Sequence, residues 1–311
     1  MNNIEKRPTP KVVIGMPVYN GDIHLAETLD SILNQSFTDF SLVISDNAST
    51  DDTQKICEAY AARDSRIIYH RQPKNQGMAF NFNYVFRAEG APYFKWAAHD
   101  DLLEPDYLLE CVNLLEKNPS LALAHCPSAR IDDDGHDMGM YKDLGLSGKR
   151  VSERFWRVLW TINIYEIYSV MRTSYVEKVK LVGDYLGSER NLLAEVLLQG
   201  DIAYFEKSLF ARRDHKKSMT AMHLDAKAGN DFEKRQKVHS SQKTMSEAQA
   251  SAIRFREYFI SLFRFSMPLH ERILCIGSLM DWGLKRALEK FSKDDEKYRR
   301  KLYKTRVNSK A

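Results

Sequence analysis

The chain has no CxxC pair and no cysteine cluster; Cys57, Cys111, Cys126 and Cys275 are scattered along it. That spacing argues against a disulfide framework or a cysteine-built zinc site and predicts reduced, structural thiols. No run of ~18 uninterrupted apolar residues occurs, so no bilayer-spanning helix is expected. The opening MNNIEKRPTPK lacks the apolar stretch of a signal peptide, and the expected location is cytoplasmic. No G-x-G-x-x-G follows the first apolar run, which argues against a dinucleotide-dependent dehydrogenase. Internal repeats and low-complexity segments are also lacking. A basic excess is lacking over most of the length: residues 285–311 hold eleven Lys or Arg against four Asp or Glu, leaving −3 for the first 284. No nucleic-acid partner is expected from this balance.

What is present is an alternation of short apolar runs with helical stretches. Residues 11–17, 40–45, 66–70 and 91–98 read as strands, and 22–35, 51–62, 77–88 and 105–117 as helices, with Asp22 capping the first. This rhythm predicts an α/β half with a parallel sheet, whose loops gather at the carboxyl ends of the strands. Beyond residue 120 the pattern gives strands at 121–131, 164–171 and 202–211 and helices at 152–162 and 190–199. Residues 252–303 read as helical, interrupted by Arg254, Arg256, Arg264 and Arg272.

Several side chains fall where the first strands end. Pro17-Val18-Tyr19-Asn20 turns the first strand into a helix. Asp46 ends the second strand, where Ser49, Thr50 and Asp51 compete as helix caps and leave it free for a ligand. Asn75 and Gly77 form a loop in which glycine permits close backbone approach. Asp100-Asp101 follow the apolar run 91–98, and paired carboxylates there suit a divalent cation and a phosphorylated ligand. Asp132-Asp133-Asp134-Gly135 lacks the spacing of a calcium loop and reads as a hairpin turn. Trp156 and Trp160 stand four apart, as core residues on a helix do; with Tyr165 and Tyr168 they are also candidates for a sugar-binding shelf.

The ordered set VVIGMPVYN, LVISDNASTDDT, NQGMAFNFNYVF, YFKWAAHDDLLEPDYL and SERNLLAEVLLQG through RRDHKKS resembles the family 2 nucleotide-sugar glycosyltransferases, in particular a bacterial subgroup. The resemblance covers roughly residues 10–218. It implies a GT-A fold: a Rossmann-like, mostly parallel sheet with flanking helices, here followed by a helical C-terminal extension. The implied organisation is a glycosyltransferase domain over 1–218, with a nucleotide-sugar half about 10–120 and an acceptor half about 121–218. A linker at 219–250 and a basic helical extension at 251–311 follow.

The same resemblance implies roles. Pro17, Tyr19, Asn20, Asp46, Asn75, Gly77, Asp101 and Arg213 would bind the nucleotide sugar. Asp100 and His215 would hold Mn²⁺ or Mg²⁺, and Glu189 would be the catalytic base. The family's acidic motif has a further aspartate where this chain has Ala98, which weakens the metal assignment. The implied activity is inverting transfer from a nucleotide-diphosphate sugar, UDP-linked by preference, to a hydroxyl of a glycan or lipid-linked acceptor. Cell-envelope or polysaccharide synthesis is the expected setting. A catalytically silent sugar-nucleotide-binding protein is the alternative, made plausible by Ala98. The basic C-terminal helices leave open a peripheral contact with the inner membrane face, a homodimer, or a solvated extension.

Overall fold

The computed structural model describes residues 9–86, 90–141, 144–161, 164–215, 232–240 and 245–289. Its main sheet has seven strands in the order β10-β6-β9-β4-β1-β2-β3. In chain order these are β1 (Val12–Val18), β2 (Phe40–Asp46), β3 (Ile67–Arg71), β4 (Tyr93–Trp96), β6 (Leu121–His125), β9 (Val170–Arg172) and β10 (Asp201–Tyr204). Only β9 runs antiparallel, to both β4 and β6. A smaller sheet, β5-β11-β7-β8, is built from Leu102–Leu103, Phe210–Arg213, Ser128–Ile131 and Asp137–Met140.

The apolar runs are continuous because the main sheet is covered on both faces. Val12, Ile14, Met16 and Val18 of β1 pack with Leu25, Leu29 and Ile32 of α1 (Leu25–Leu33) and with α4 (Tyr107–Lys117). Val13, Phe94 and Trp96 face the other core, with α5 (Val151–Trp160) and α7 (Ser188–Gln199). Helices α2 (Thr53–Arg63), α3 (Met78–Tyr84) and α6 (Thr173–Val176) complete the glycosyltransferase-like part. Helix α1 begins later than expected. Asp22 lies in the preceding turn, His24 holds the cap position without a side-chain cap, and Ile23 is exposed.

Two expected strands are each two strands. Residues 121–131 divide at Cys126-Pro127 into β6 and β7, which belong to different sheets, and 202–211 divides into β10 and β11. Residues 164–171 form a 3₁₀ turn, Tyr165–Tyr168, before β9. The turn at 132–135 does join the antiparallel β7 and β8, with Asp132 Oδ1 accepting from the Asp134 and His136 amides.

Within 219–250 the described residues include α8 (Phe232–His239). Its Gln236 bonds the Leu186 amide and the Asp184 carbonyl. Two long helices follow, α9 (Glu247–Arg264) and α10 (Leu269–Glu289). Tyr258, Leu262, Cys275, Leu279 and Trp282 of these helices belong to the same buried cluster as α5 and α7. Three of the four arginines that interrupt the apolar pattern are internal fastenings, and Arg256 is exposed. Arg254 is buried against Gly187, Arg264 pairs with Glu195 of α7, and Arg272 bonds the Leu262 and Phe265 carbonyls.

Two charged groups inside the core, Glu195 and Lys95, have polar partners. Glu195, 1% exposed, accepts from Ser261 Oγ at 2.5 Å, from the Lys180 amide at 2.6 Å and from Arg264. On the opposite face, the fully buried Lys95 donates to the carbonyls of Trp96 and Tyr168 and lies 4.9 Å from the Tyr107 ring centre. Beside it, burial and the Lys95 charge push His125 down to about 3; its Nδ1 stands 2.8 Å from the Tyr107 hydroxyl.

Replacing Arg264 by Met strands a buried carboxylate. Equilibrium denaturation should show a loss of about 3 kcal/mol, with part recovered in Glu195→Gln/Arg264→Met. Burial pushes Lys95 from 10.5 down to about 8, so the native state sheds that proton before the unfolded chain does. Between these two values the unfolded state binds more protons, and this group makes stability rise with pH. Urea denaturation across that window should show up to roughly 1.4 kcal/mol per pH unit of slope that Lys95→Met lacks.

Candidate nucleotide-sugar site

The carboxyl ends of β1, β2 and β4 meet because their parallel registers run together: Val18 opposite Asp46, and Gly15 opposite Trp96. Pro17 lies past the last residue that β4 pairs, where a missing N–H is tolerated. Asn20 takes φ 52° and stitches the first loop to the second. Its amide donates to Ser49 Oγ, and its Oδ1 accepts from the Thr50 amide, both at 2.9 Å. Tyr19, 44% exposed, presents its ring at this edge.

Asp46 is not free, contrary to expectation. It is fully buried; Oδ1 accepts from the Ser49 amide at 2.8 Å, and Oδ2 accepts from Tyr69 Oη at 2.9 Å and Arg71 Nη1 at 2.5 Å. Its partners come from β3, and the Arg71 guanidinium, one-third exposed, is the group they leave at the surface. Asn75 and Gly77 close the same wall. Asn75 Oδ1 accepts from the Gly77 amide at 2.9 Å and from Asn47 Nδ2 at 3.1 Å, and Gly77 takes φ 86°, a conformation that favours glycine. Asn81 Nδ2 ties α3 to the ends of β1 and β2 through the Val18 and Ser45 carbonyls.

The acidic pair is divided in its partners. Asp100 Oδ2 lies 2.8 Å from His215 Nε2. Burial opposes its ionisation, but His99, His215 and Arg212 outweigh that and hold it at about 2. Burial and the Asp100 charge push Asp101 up to about 7. Asp101 Oδ1 accepts from the Arg213 amide at 3.1 Å, while Oδ2 is buried with no protein partner. The hydrogen bond to Asp100 raises His215 above the usual imidazole range.

Arg213 was expected to bind the nucleotide sugar, and the structure places it otherwise. It is 1% exposed; Nε donates to the Asp100 carbonyl at 3.1 Å and Nη1 to the Asp132 and Asp133 carbonyls at 3.0 Å. Nη2 pairs with Glu27 at 2.6 Å. Because side chains alternate along a strand, Arg212 leaves β11 on the opposite face. Its guanidinium lies 4.5 Å from the Tyr165 ring centre and 5.8 Å from that of Tyr141. No sequence signal distinguished Arg212 from Arg213.

His24 was also missed. Its Nε2 stands 3.4 Å from Asp133 Oδ1, its ring meets that of His215 edge-on, and ligand atoms of His24, Asp133 and His215 lie within 4.8 Å of one another. Carboxylate oxygens and imidazole nitrogens of this kind fit Mn²⁺ and, less well, Mg²⁺. The unpartnered Asp101 oxygen is consistent with a group that enters from outside the chain.

Glu189 lies in the first turn of α7, where a carboxylate suits the helix dipole, and its Oε2 is buried without a partner. Gly187 at φ 87° precedes the helix, and Arg254 packs so closely on it that a Cβ would stand 2.9 Å from Nη1. The Tyr168 phenol feels the charges of both carboxylate sites. Burial raises its phenol, and the charges of Asp101, Asp100 and Glu189 all add to that rise while Arg212 opposes it. Trp160 packs into the core beneath α10, with Lys285 over its ring, so it contributes to no sugar shelf; Tyr165 and Tyr168 do stand at this edge. Lys216, Lys217 and Ser218 lie outside the described residues.

Residues 13–179 match the family model described as glycosyl transferase family 2. Chondroitin synthase of Escherichia coli is 34% identical over 127 residues, 41% of this chain and 18% of that protein. The chain spans less than half the length of the curated relatives it matches. Among solved structures, Staphylococcus aureus TarS 1–349 in complex with UDP-GlcNAc superposes with a TM-score of 0.55 at 16% identity, covering 88% of this chain and 80% of that one. A mannosyltransferase of Pyrobaculum calidifontis, in complex with GDP-Man and Mn²⁺, gives 0.51 at 15%, covering 94% and 84%. These two likenesses concern the fold, which is GT-A. With the match extending over more than half its length, the chain belongs to glycosyl transferase family 2.

Proposed function

We propose that the protein transfers a sugar, with inversion, from a nucleotide-diphosphate donor to an acceptor hydroxyl, and that Glu189 is the base. The observation that carries this reading is a pair of buried carboxylate oxygens without protein partners, Asp101 Oδ2 and Glu189 Oε2, on residues whose charges both act on the Tyr168 phenol. One fits the donor side and the other the acceptor side. The donor would lie along the ends of β1, β2 and β4, its base against Tyr19 and the Arg71–Asp46 pair, with Asn20, Asn75 and Gly77 shaping the wall.

Asp100 and His215 would hold Mn²⁺ or Mg²⁺, which when bound supplies Lewis-acid stabilisation of charge on the departing diphosphate. Glu189 Oε2 accepts the proton of the acceptor hydroxyl as its oxygen attacks the anomeric carbon. The bond to the diphosphate oxygen breaks on the opposite side, and the configuration inverts. TarS bound to UDP-GlcNAc supports a UDP-linked donor; the GDP-Man complex of the mannosyltransferase keeps a guanosine donor within reach of the test. A glycan or lipid-linked hydroxyl is the acceptor we favour, in keeping with chondroitin synthase among the relatives.

The test pairs binding with turnover. Calorimetry with UDP- and GDP-sugars, with and without Mn²⁺, should identify one donor class, and Asp100→Asn should abolish the Mn²⁺-dependent part of its affinity. Glu189→Gln should leave donor affinity within a few-fold while transfer falls by roughly 10²–10⁴. Full transfer by Glu189→Gln removes that residue from the mechanism. Donor binding by the wild type, with neither transfer nor donor hydrolysis across an acceptor panel, would make the protein a silent binder.

A further inference from the structure

Helices α9 and α10 are apolar on the side that faces away from the protein. Of fourteen large hydrophobic side chains exposed among the described residues, eight lie on these two helices. That concentration separates them from the isolated apolar residues that any surface carries. On α10, Leu269, Ile273, Met280 and Leu284 recur at intervals of four, seven and four, which places them on one stripe. Gly277 falls beside the stripe, with nothing within 4 Å of where its Cβ would stand. The opposite side of the helix, with Cys275, Leu279 and Trp282, is already buried in the core. A helix apolar on both sides is one that something covers. Phe259 and Phe263, also exposed, extend the surface onto α9, and Arg272 lies 5.5 Å from the Phe263 ring centre.

Charge is nearly balanced along these helices. Arg256 is exposed beside Glu257, Arg264 turns inward to Glu195, Lys285 lies over the Trp160 ring and Arg286 over that of Trp282. The acidic residues there are taken up: Glu257 is buried and paired with Arg256 and Lys180, Glu271 is buried, and Asp281 pairs with Lys285. The sequence then runs directly into 290–311, with nine Lys or Arg and three Asp or Glu. No helix among the described residues is long and apolar enough to cross a membrane.

We infer that the outer face of α9 and α10 docks onto an anionic lipid bilayer, with the Leu269–Leu284 stripe in the acyl boundary. An apolar stripe that runs on in sequence into a basic stretch is the chemistry of a helix that lies in the interface, and negative headgroups complement that positive charge. A second copy of the chain is the less favourable occupant, since each copy carries the nine Lys or Arg and three Asp or Glu of 290–311 next in sequence to this face. The inference is independent of the proposed chemistry, because it uses none of the residues assigned to the site.

Flotation of the full-length protein tests it, using vesicles of phosphatidylcholine alone and with about 30% phosphatidylglycerol. Binding should require the anionic lipid and weaken as salt rises. Ile273→Asp/Leu284→Asp should lower partitioning roughly tenfold or more, with thermal unfolding unchanged because both side chains are exposed. Transfer to a soluble acceptor should also be unchanged. Failure of the wild type to float with anionic vesicles overturns the inference, as does equal flotation of the double variant. A dimer in light scattering that the double variant abolishes, without vesicle binding, assigns the face to self-association instead.

Discussion

A buried guanidinium organises the candidate site. Arg213 links four segments that are distant in sequence: the loop of the acidic pair, the β7–β8 turn, helix α1 and strand β11. A cation this deeply placed is tolerable only when its donors are met by well-aligned acceptors, and here three carbonyls and a carboxylate meet them. The geometry that follows is specific. Fixing the Asp100 backbone brings its carboxylate to His215, and fixing the β7–β8 turn carries Asp133 to His24. Strand alternation then sends Arg212 the other way, toward Tyr141 and Tyr165. A residue that sequence pattern casts as a ligand is part of the frame, and its neighbour turns to the aromatic rings on the other face.

The strand ends that form the proposed donor side were legible because their signals are local. Strands buried on both faces are continuous apolar runs, and Asp100-Asp101 mark the end of one. The failures arose where the decisive partner is remote. Asp46 appeared unpaired because Tyr69 and Arg71 reach it from the adjacent strand, more than twenty residues on. Residues 121–131 read as one strand because hydrophobicity does not reveal a chain passing from one sheet to another at Cys126-Pro127. Arg254 and Arg264 resembled a solvated helix face because charge predicts exposure in the absence of partners; Glu195 supplies a partner for one, and close packing on Gly187 houses the other.

The family match ends at residue 179, before Glu189, Arg212 and His215. The helix carrying Glu189 is secured by segments outside that match. Gln236 and His239 of α8 bond the 183–188 turn, Arg254 of α9 packs on Gly187, and Ser261 and Arg264 hold Glu195 one and a half turns further along α7. The C-terminal helices are therefore part of the wall that positions the proposed base. A division of this kind has a physical logic: diphosphate and ribose pose the same problem to every donor site, whereas acceptors differ in size and shape. The proposed acceptor side is assembled largely from elements beyond the family match.

Electrostatics at the acidic pair reinforce that division. Two neighbouring buried carboxylates resist simultaneous ionisation, and the chain separates them by giving their charges different company. Asp100 has His99 and His215 close by and remains ionised; Asp101, deeper and beside that negative charge, is raised to about 7 despite Arg212 and Lys95. Lys95 reaches this region from the core, held by the Tyr168 carbonyl, while Asp101 and, more weakly, Glu189 raise the Tyr168 phenol. The short 3₁₀ turn at 165–168 thus carries a phenol on which the charges of both carboxylates act. Its conformation depends on a buried lysine whose own charge is costly, which ties the electrostatic balance of the site to the packing of the sheet beneath it.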